Sequence, residues 1–184
     1  MTPAPSKAQG PRNAAALLGG FCLFLSTIEY LIPKPLPFMR IGIANLPLMI
    51  ALDIFPFSRF LFLTGIKIAG QALITGALFS SLFLFSLAGT SLSALTMYGL
   101  RRLLGPDRIS FIGLGTAGAL ASNGVQLVLA RFVVFGKGVQ YIAPPFLAAG
   151  MIAGISLGLW CEHFTRRSRW YGERLKEARM KGPA

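Results

Sequence analysis

Acid is what this sequence has least of. Six carboxylates (Glu29, Asp53, Asp107, Glu162, Glu173 and Glu177) stand in 184 residues, and all charged residues together make up 13%. A soluble domain carries about 25%, so the chain is poorly equipped for an ordinary solvated surface, and a soluble enzyme is disfavoured. With one histidine and two cysteines there is no set of metal ligands. Cys22 and Cys161 fall inside apolar runs and read as small packing residues. There is no G-x-x-x-x-G-K-[ST] phosphate loop, so the chain is not its own ATPase. HExxH, CxxC and G-x-S-x-G are also absent, as is a neighbouring pair of acids to hold Mg²⁺ on a diphosphate. The expectation is therefore no catalytic residue, no cofactor and no metal. The polar inventory suits binding better than bond-making.

Apolar residues are plentiful: 54% of the chain, with a mean hydropathy of +0.63. A helix crosses a bilayer with about 20 apolar residues, and hydropathy divides the chain into six segments. The first spans 13–32 and stops at Pro33, Pro35 and Pro37, which cannot continue a helix; it is too long for a signal-peptide core and reads as a transmembrane helix. The second, short and containing Pro47, covers 41–55. The third runs over 57–75. Residues 76–90, broken by Gly, Ser and Thr, read as a loop with a short helix leading into a fourth span at 91–104. The fifth is 109–135 and the sixth 140–164. The expected organisation is a disordered stretch over 1–12, one transmembrane domain over 13–164 and a basic tail over 165–184. The tail is a candidate for a helix lying on lipid headgroups. The fold class is an all-α, six-transmembrane-helix bundle.

The net charge of +12 does not point to nucleic acid, because seven of the 18 basic residues crowd into the tail from Arg166 to Lys181. With both termini on the inside, thirteen Lys and Arg lie inside against Lys34, Arg40 and Lys137 outside. That positive-inside bias makes both termini cytoplasmic in the cytoplasmic (inner) membrane of a prokaryote, with anionic lipid as a partner.

A polar group within a span is costly and is a functional candidate by default. On this topology Glu29, Arg40, Asn45, Lys67, Gln71, Asn123, Gln126 and Arg131 gather around the midplane and in the outer half, which describes a polar cavity open to the outside and roofed by the Pro-rich loop. Asn123 and Gln126 share a helix face, with Arg131 about 80° away from Asn123. Arg40, Lys67 and Arg131 against Glu29 make the expected cavity net positive and favour an anionic ligand. Each residue also has a plainer reading. Glu29 can pair with Arg40, and Asn45 can satisfy backbone freed by Pro47. Arg131 can snorkel to headgroups, and Asn123 and Gln126 can bond between helices. Asp53, near Arg59, and His163 read as structural. Gly150, Gly154 and Gly158 form a double GxxxG for close helix approach. Ala15 with Gly19 and Ala16 with Gly20 give the first span a small-residue stripe, a candidate for docking a partner.

Specific stretches resemble a known family. They are Glu29-Tyr-Leu-Ile-Pro33, Pro37-Phe-Met-Arg40-Ile-Gly42-Ile-Ala44-Asn45, Lys67-Ile-Ala-Gly70-Gln71, Leu73-Ile-Thr75-Gly76-Ala-Leu-Phe79-Ser80, Ser86-Leu-Ala-Gly89 and Gly118-Ala119-Leu-Ala-Ser-Asn123-Gly124-Val-Gln126. On these the chain resembles the heptaprenyl diphosphate synthase component I family (the Gx transporter family) over roughly residues 12–160. That family is similar in fold to the substrate-binding S components of energy-coupling factor (ECF) transporters. The resemblance implies an outward ligand cavity capped by the loop after the first helix, and docking of that helix onto a coupling subunit driven by two ATPases. It implies uptake of a small anionic or amphipathic nutrient, or of an isoprenoid- or quinone-related precursor. The first-helix motif here is Ala-xxx-Gly where S components carry Ala-xxx-Ala. Prenyl diphosphate synthases carry aspartate-rich Mg²⁺ motifs that this chain lacks. The alternatives are a non-catalytic accessory subunit of a polyprenyl diphosphate synthase and a part of a membrane redox complex.

Overall fold

A computed structural model describes residues 9–33, 42–76, 78 and 80–180. Among the described residues the architecture is helical throughout: α1 (Gln9–Leu31), α2 (Leu46–Ala51), α3 (Phe57–Thr75), α4 (Ser81–Leu104), α5 (Phe111–Ala130), α6 (Val139–Arg167) and α7 (Arg169–Met180). Four helical stretches are long and apolar enough to cross a membrane: 13–31, 57–75, 81–104 and the continuous run 111–167, which contains α5 and α6. Large apolar side chains such as Phe24, Phe62, Leu73, Leu103 and Phe132 face outward, while Glu29, Lys67, Gln71, Asn123 and Gln126 are buried. That is the arrangement of a helical membrane protein, in which lipid takes the apolar surface and polar groups turn to the bundle interior.

The second segment is a helix of only six residues, Leu46–Ala51, entered through a 3₁₀ turn, Ile43–Asn45. Pro47 is harmless in this first turn, where its missing N–H would have had no partner in the helix. Every residue of α2 is buried. It is a core rod enclosed by other helices, so its surface need not match the thickness of the hydrocarbon. The chain still returns from one end of the bundle to the other: Gly42 and Ala44 bond Glu29 near the end of α1, and Asp53 bonds Arg101 near the end of α4.

Residues 81–90 belong to α4 and are not a loop, which corrects the sequence reading. Helix α3 ends at the left-handed Gly76 (φ 64°) and α4 begins after the extended Ser80. Ser86, Gly89, Thr90 and Ser93 all lie on the buried side of α4. In an apolar medium the backbone has to satisfy itself within the helix, and small polar residues become packing positions instead of breaks. Helix α5, started by the Ser110 hydroxyl accepting from Gly113 N–H at 3.2 Å, ends at Ala130 and gives way to a π turn over Arg131–Phe135.

Helix α5 packs intimately on α4 and α6, and α1 packs on α3. The double GxxxG of α6 is used within the chain. A Cβ on Gly154 would stand 2.6 Å from the Gly115 carbonyl oxygen, and one on Gly158 would stand 2.6 Å from that of Phe111. The tail from Arg169 forms α7 and is anchored to the bundle: Tyr171 is buried and its hydroxyl donates to Asp53 Oδ2 at 2.7 Å. Asp53 is paired with Arg101, and Arg59, its expected neighbour, is exposed.

Candidate functional site

The polar groups on the inner faces of these helices meet in one cavity. Its walls include Glu29 of α1, Asn45 and Met49 of the second segment, Lys67 and Gln71 of α3, Thr90, Ser93 and Met97 of α4, Ser122 and Asn123 of α5, and Gly150 and Gly154 of α6. The empty space is about 550 Å³, counted with its opening to solvent.

Glu29 is 2% exposed, and its carboxylate accepts Gly42 N–H at 3.0 Å and Ala44 N–H at 3.2 Å. Gly42 has φ 83°, a left-handed conformation that favours glycine. The carboxylate therefore fastens the entry of the second segment to the end of α1. Lys67, 3% exposed, donates its ammonium to Asn45 Oδ1 and to Thr90 Oγ1, the latter at 3.5 Å. This links α3, the second segment and α4 around one cation. Asn123 lines the cavity and also donates from Nδ2 to the Phe146 carbonyl of α6 at 3.0 Å.

Of the sequence candidates, Glu29, Asn45, Lys67, Gln71 and Asn123 come together. Gln126 is fully buried behind them, its amide donating to Ser122 Oγ at 2.9 Å. Arg131 does not join the cavity: it is exposed in the π turn beyond α5. Arg40 lies outside the described residues. The charges on the described lining are thus one cation, Lys67, and one carboxylate, Glu29; of the other two cations counted in the expected net positive cavity, Arg131 is not on this lining and Arg40 is not among the described residues. Thr90, Ser93 and Ser122 were not among the candidates. For Thr90 and Ser93 the signal was the spacing of Ser86, Gly89, Thr90, Ser93 and Met97, one face of a single helix.

The small-residue stripe of α1 divides between two faces. Gly19 is buried, with Leu63 and Ile66 of α3 each 3.8 Å from where its Cβ would be. Ala15 is half-buried, whereas Ala16 and Gly20 are exposed beside Leu17 and Phe24.

At the opposite end of the bundle, Arg101 Nε and Nη2 donate to the two oxygens of Asp53 at 2.7 and 2.6 Å, and Nη1 donates to the Ile109 carbonyl at 2.7 Å. Burial, reinforced by the Asp53 charge and the hydrogen bond to it, pushes the Tyr171 phenol above its ordinary pKa.

Together these features describe a helical membrane protein whose bundle encloses a polar cavity. The chain belongs to the heptaprenyl diphosphate synthase component I family, whose model matches residues 18–164. No curated protein and no solved structure matches the chain at a significant level.

Proposed function

We propose that the chain is a membrane-embedded capture subunit that binds a small polar nutrient or precursor in its central cavity and has no catalytic step of its own. The observation that carries this reading is the convergence of Glu29, Asn45, Lys67, Gln71, Thr90 and Ser93 on one cavity inside an otherwise apolar bundle. Buried polar groups in a membrane are costly and are found where a ligand or ion is handled. Lys67 would face an acidic or carbonyl group of the guest. The Glu29 end would be external, and the gate would be the Pro-rich loop over 33–40, of which 34–40 lie outside the described residues. Both termini would be cytoplasmic in the inner membrane. The exposed Ala16 and Gly20 face of α1 would dock a coupling subunit served by two ATPases, while Ala15 and Gly19 serve the fold.

The test is native mass spectrometry of the tagged chain gently extracted from its host's membranes. The expected result is a complex with two ATPases and a coupling subunit. A small molecule should be retained by the wild type and lost in Lys67→Met and Asn45→Leu. A prenyltransferase or redox partner, with no ATPase and no retained molecule, would overturn it. The family's description supports a second reading, a non-catalytic membrane component of a heptaprenyl diphosphate synthase. It requires that the purified chain stimulate a partner prenyltransferase in lipid vesicles.

A further inference from the structure

The contact between α4 and α5 is polar along one line. Ser86, Gly89 and Ser93 follow one another at helical spacing on α4, facing Gly118, Ser122 and Gln126 on α5. The glycines make the room: a Cβ on Gly89 would stand 2.8 Å from Ser122 Oγ, and one on Gly118 would stand 2.9 Å from Ser93 Oγ. Ser86, Ser93 and Gln126 are 3%, 1% and 0% exposed, yet Ser86 Oγ, Ser93 Oγ and Gln126 Oε1 have no hydrogen-bond partner among the described residues. Helical hydroxyls have a local solution, donation to the carbonyl four residues earlier. Thr64, Thr116 and Ser156 all take it; Ser86 and Ser93 do not. Three unsatisfied polar atoms along one buried line in a membrane protein call for a guest that supplies the missing bonds. One end of the line borders the cavity, whose wall includes Ser93 and Ser122.

We propose that this seam is a branch of the cavity that holds an uncharged donor–acceptor group of the bound molecule, a carboxamide or the lactam edge of a heterocycle. Two hydroxyls that can donate or accept and one amide oxygen that accepts match such a group. None of the three carries charge, so the seam gives no advantage to an anion. Such a branch requires that water occupy the seam when the guest is absent. The inference rests on the capture reading for its guest but is tested independently of it.

The experiment uses Ser86→Cys and Ser93→Cys in the full chain in lipid nanodiscs, each following its alkylation by iodoacetamide through intact mass. The parent chain, with Cys22 and Cys161 both buried, sets the background. Ser156→Cys, exposed on the apolar face of α6, is the lipid-facing control. A thiol reacts as its thiolate, which requires water. Both seam cysteines should react at least about ten-fold faster than Ser156→Cys, and excess acetamide, but not acetate, should slow them at least about two-fold. Rates no higher than the control would show a dry seam and overturn the proposal. Fast labelling that acetamide leaves unchanged would make water the sole occupant and overturn the subsite. A dry seam beside a retained small molecule would sink this inference alone, and a protected seam without one would sink the capture reading alone.

Discussion

Replacing Tyr171 by Phe should release α7 from the bundle while leaving the bundle intact. The phenol donates to Asp53 Oδ2 at 2.7 Å, and Asp53 is also held by two bonds from Arg101. Removing one hydrogen bond to a charged group costs about 1.5–3 kcal/mol, and Asp53 keeps its cation, so no charge is stranded. At about 2 kcal/mol the undocked population of α7 rises about thirty-fold. Arg174, Lys176 and Arg179 lie on α7, so limited trypsin digestion in nanodiscs reads that population directly. When opening is faster than cleavage, the cutting rate tracks it. Asp53→Asn is the harsher change, about 3–5 kcal/mol, because it leaves the Arg101 guanidinium buried without its counter-ion. Once Asp53 is Asn, adding Tyr171→Phe should cost much less than it does alone, since the acceptor's charge is gone. There is also a pH signature. The folded-state phenol has its pKa raised above the ordinary value of 10.0, so its stabilisation is complete below pH 10 and is lost as the pH climbs beyond it. Tyr171→Phe should abolish that alkaline release of α7, read without protease through the fluorescence of Trp170 on the same helix. Equal cleavage of wild type and Tyr171→Phe at neutral pH would refute the docking of α7 through Asp53.

Gly154→Ala should weaken the α5–α6 contact by about 1–3 kcal/mol or more, because the new methyl would stand 2.6 Å from the Gly115 carbonyl oxygen and 2.9 Å from Ala119 Cβ; a lowered melting temperature in detergent checks it. Glu29→Gln offers one oxygen where the carboxylate offered two to Gly42 and Ala44 N–H. It should cost about 1–3 kcal/mol locally, seen as faster amide exchange at those two residues without loss of the bundle. Ala16→Leu with Gly20→Leu should leave the melting temperature nearly unchanged, since both face outward, and on the proposed capture role should release the proposed coupling subunit in co-purification. Retention of that subunit would remove the docking role of this face.

The long apolar runs made α1, α3, α5 and α6 legible, because a bilayer demands them of any spanning helix. The start of α4 was hidden for a related reason. Ser86, Gly89 and Thr90 would signal a break in a soluble chain, but here all three are buried packing positions within a continuous helix. Lys67 and Asn45 were visible because polar groups with a large transfer cost stand out in an apolar run. Thr90, Ser93 and Ser122 did not stand out, since hydroxyls cost little in an apolar helix when they bond back to it, and nothing in the sequence marks that these three are not given such a bond. Arg131 shows the limit of helical-wheel arithmetic. A rotation of about 80° from Asn123 is enough to carry it onto the exposed side with Val128 and Phe132. Asp53 marks the other limit. Its neighbour along the chain, Arg59, points away, and its partners are Arg101 and Tyr171, 48 and 118 residues distant. A carboxylate at the end of a short buried helix bonds whatever the bundle brings to that level. That choice is made by how α4 and α7 return to it, and spacing along the chain carries no trace of it.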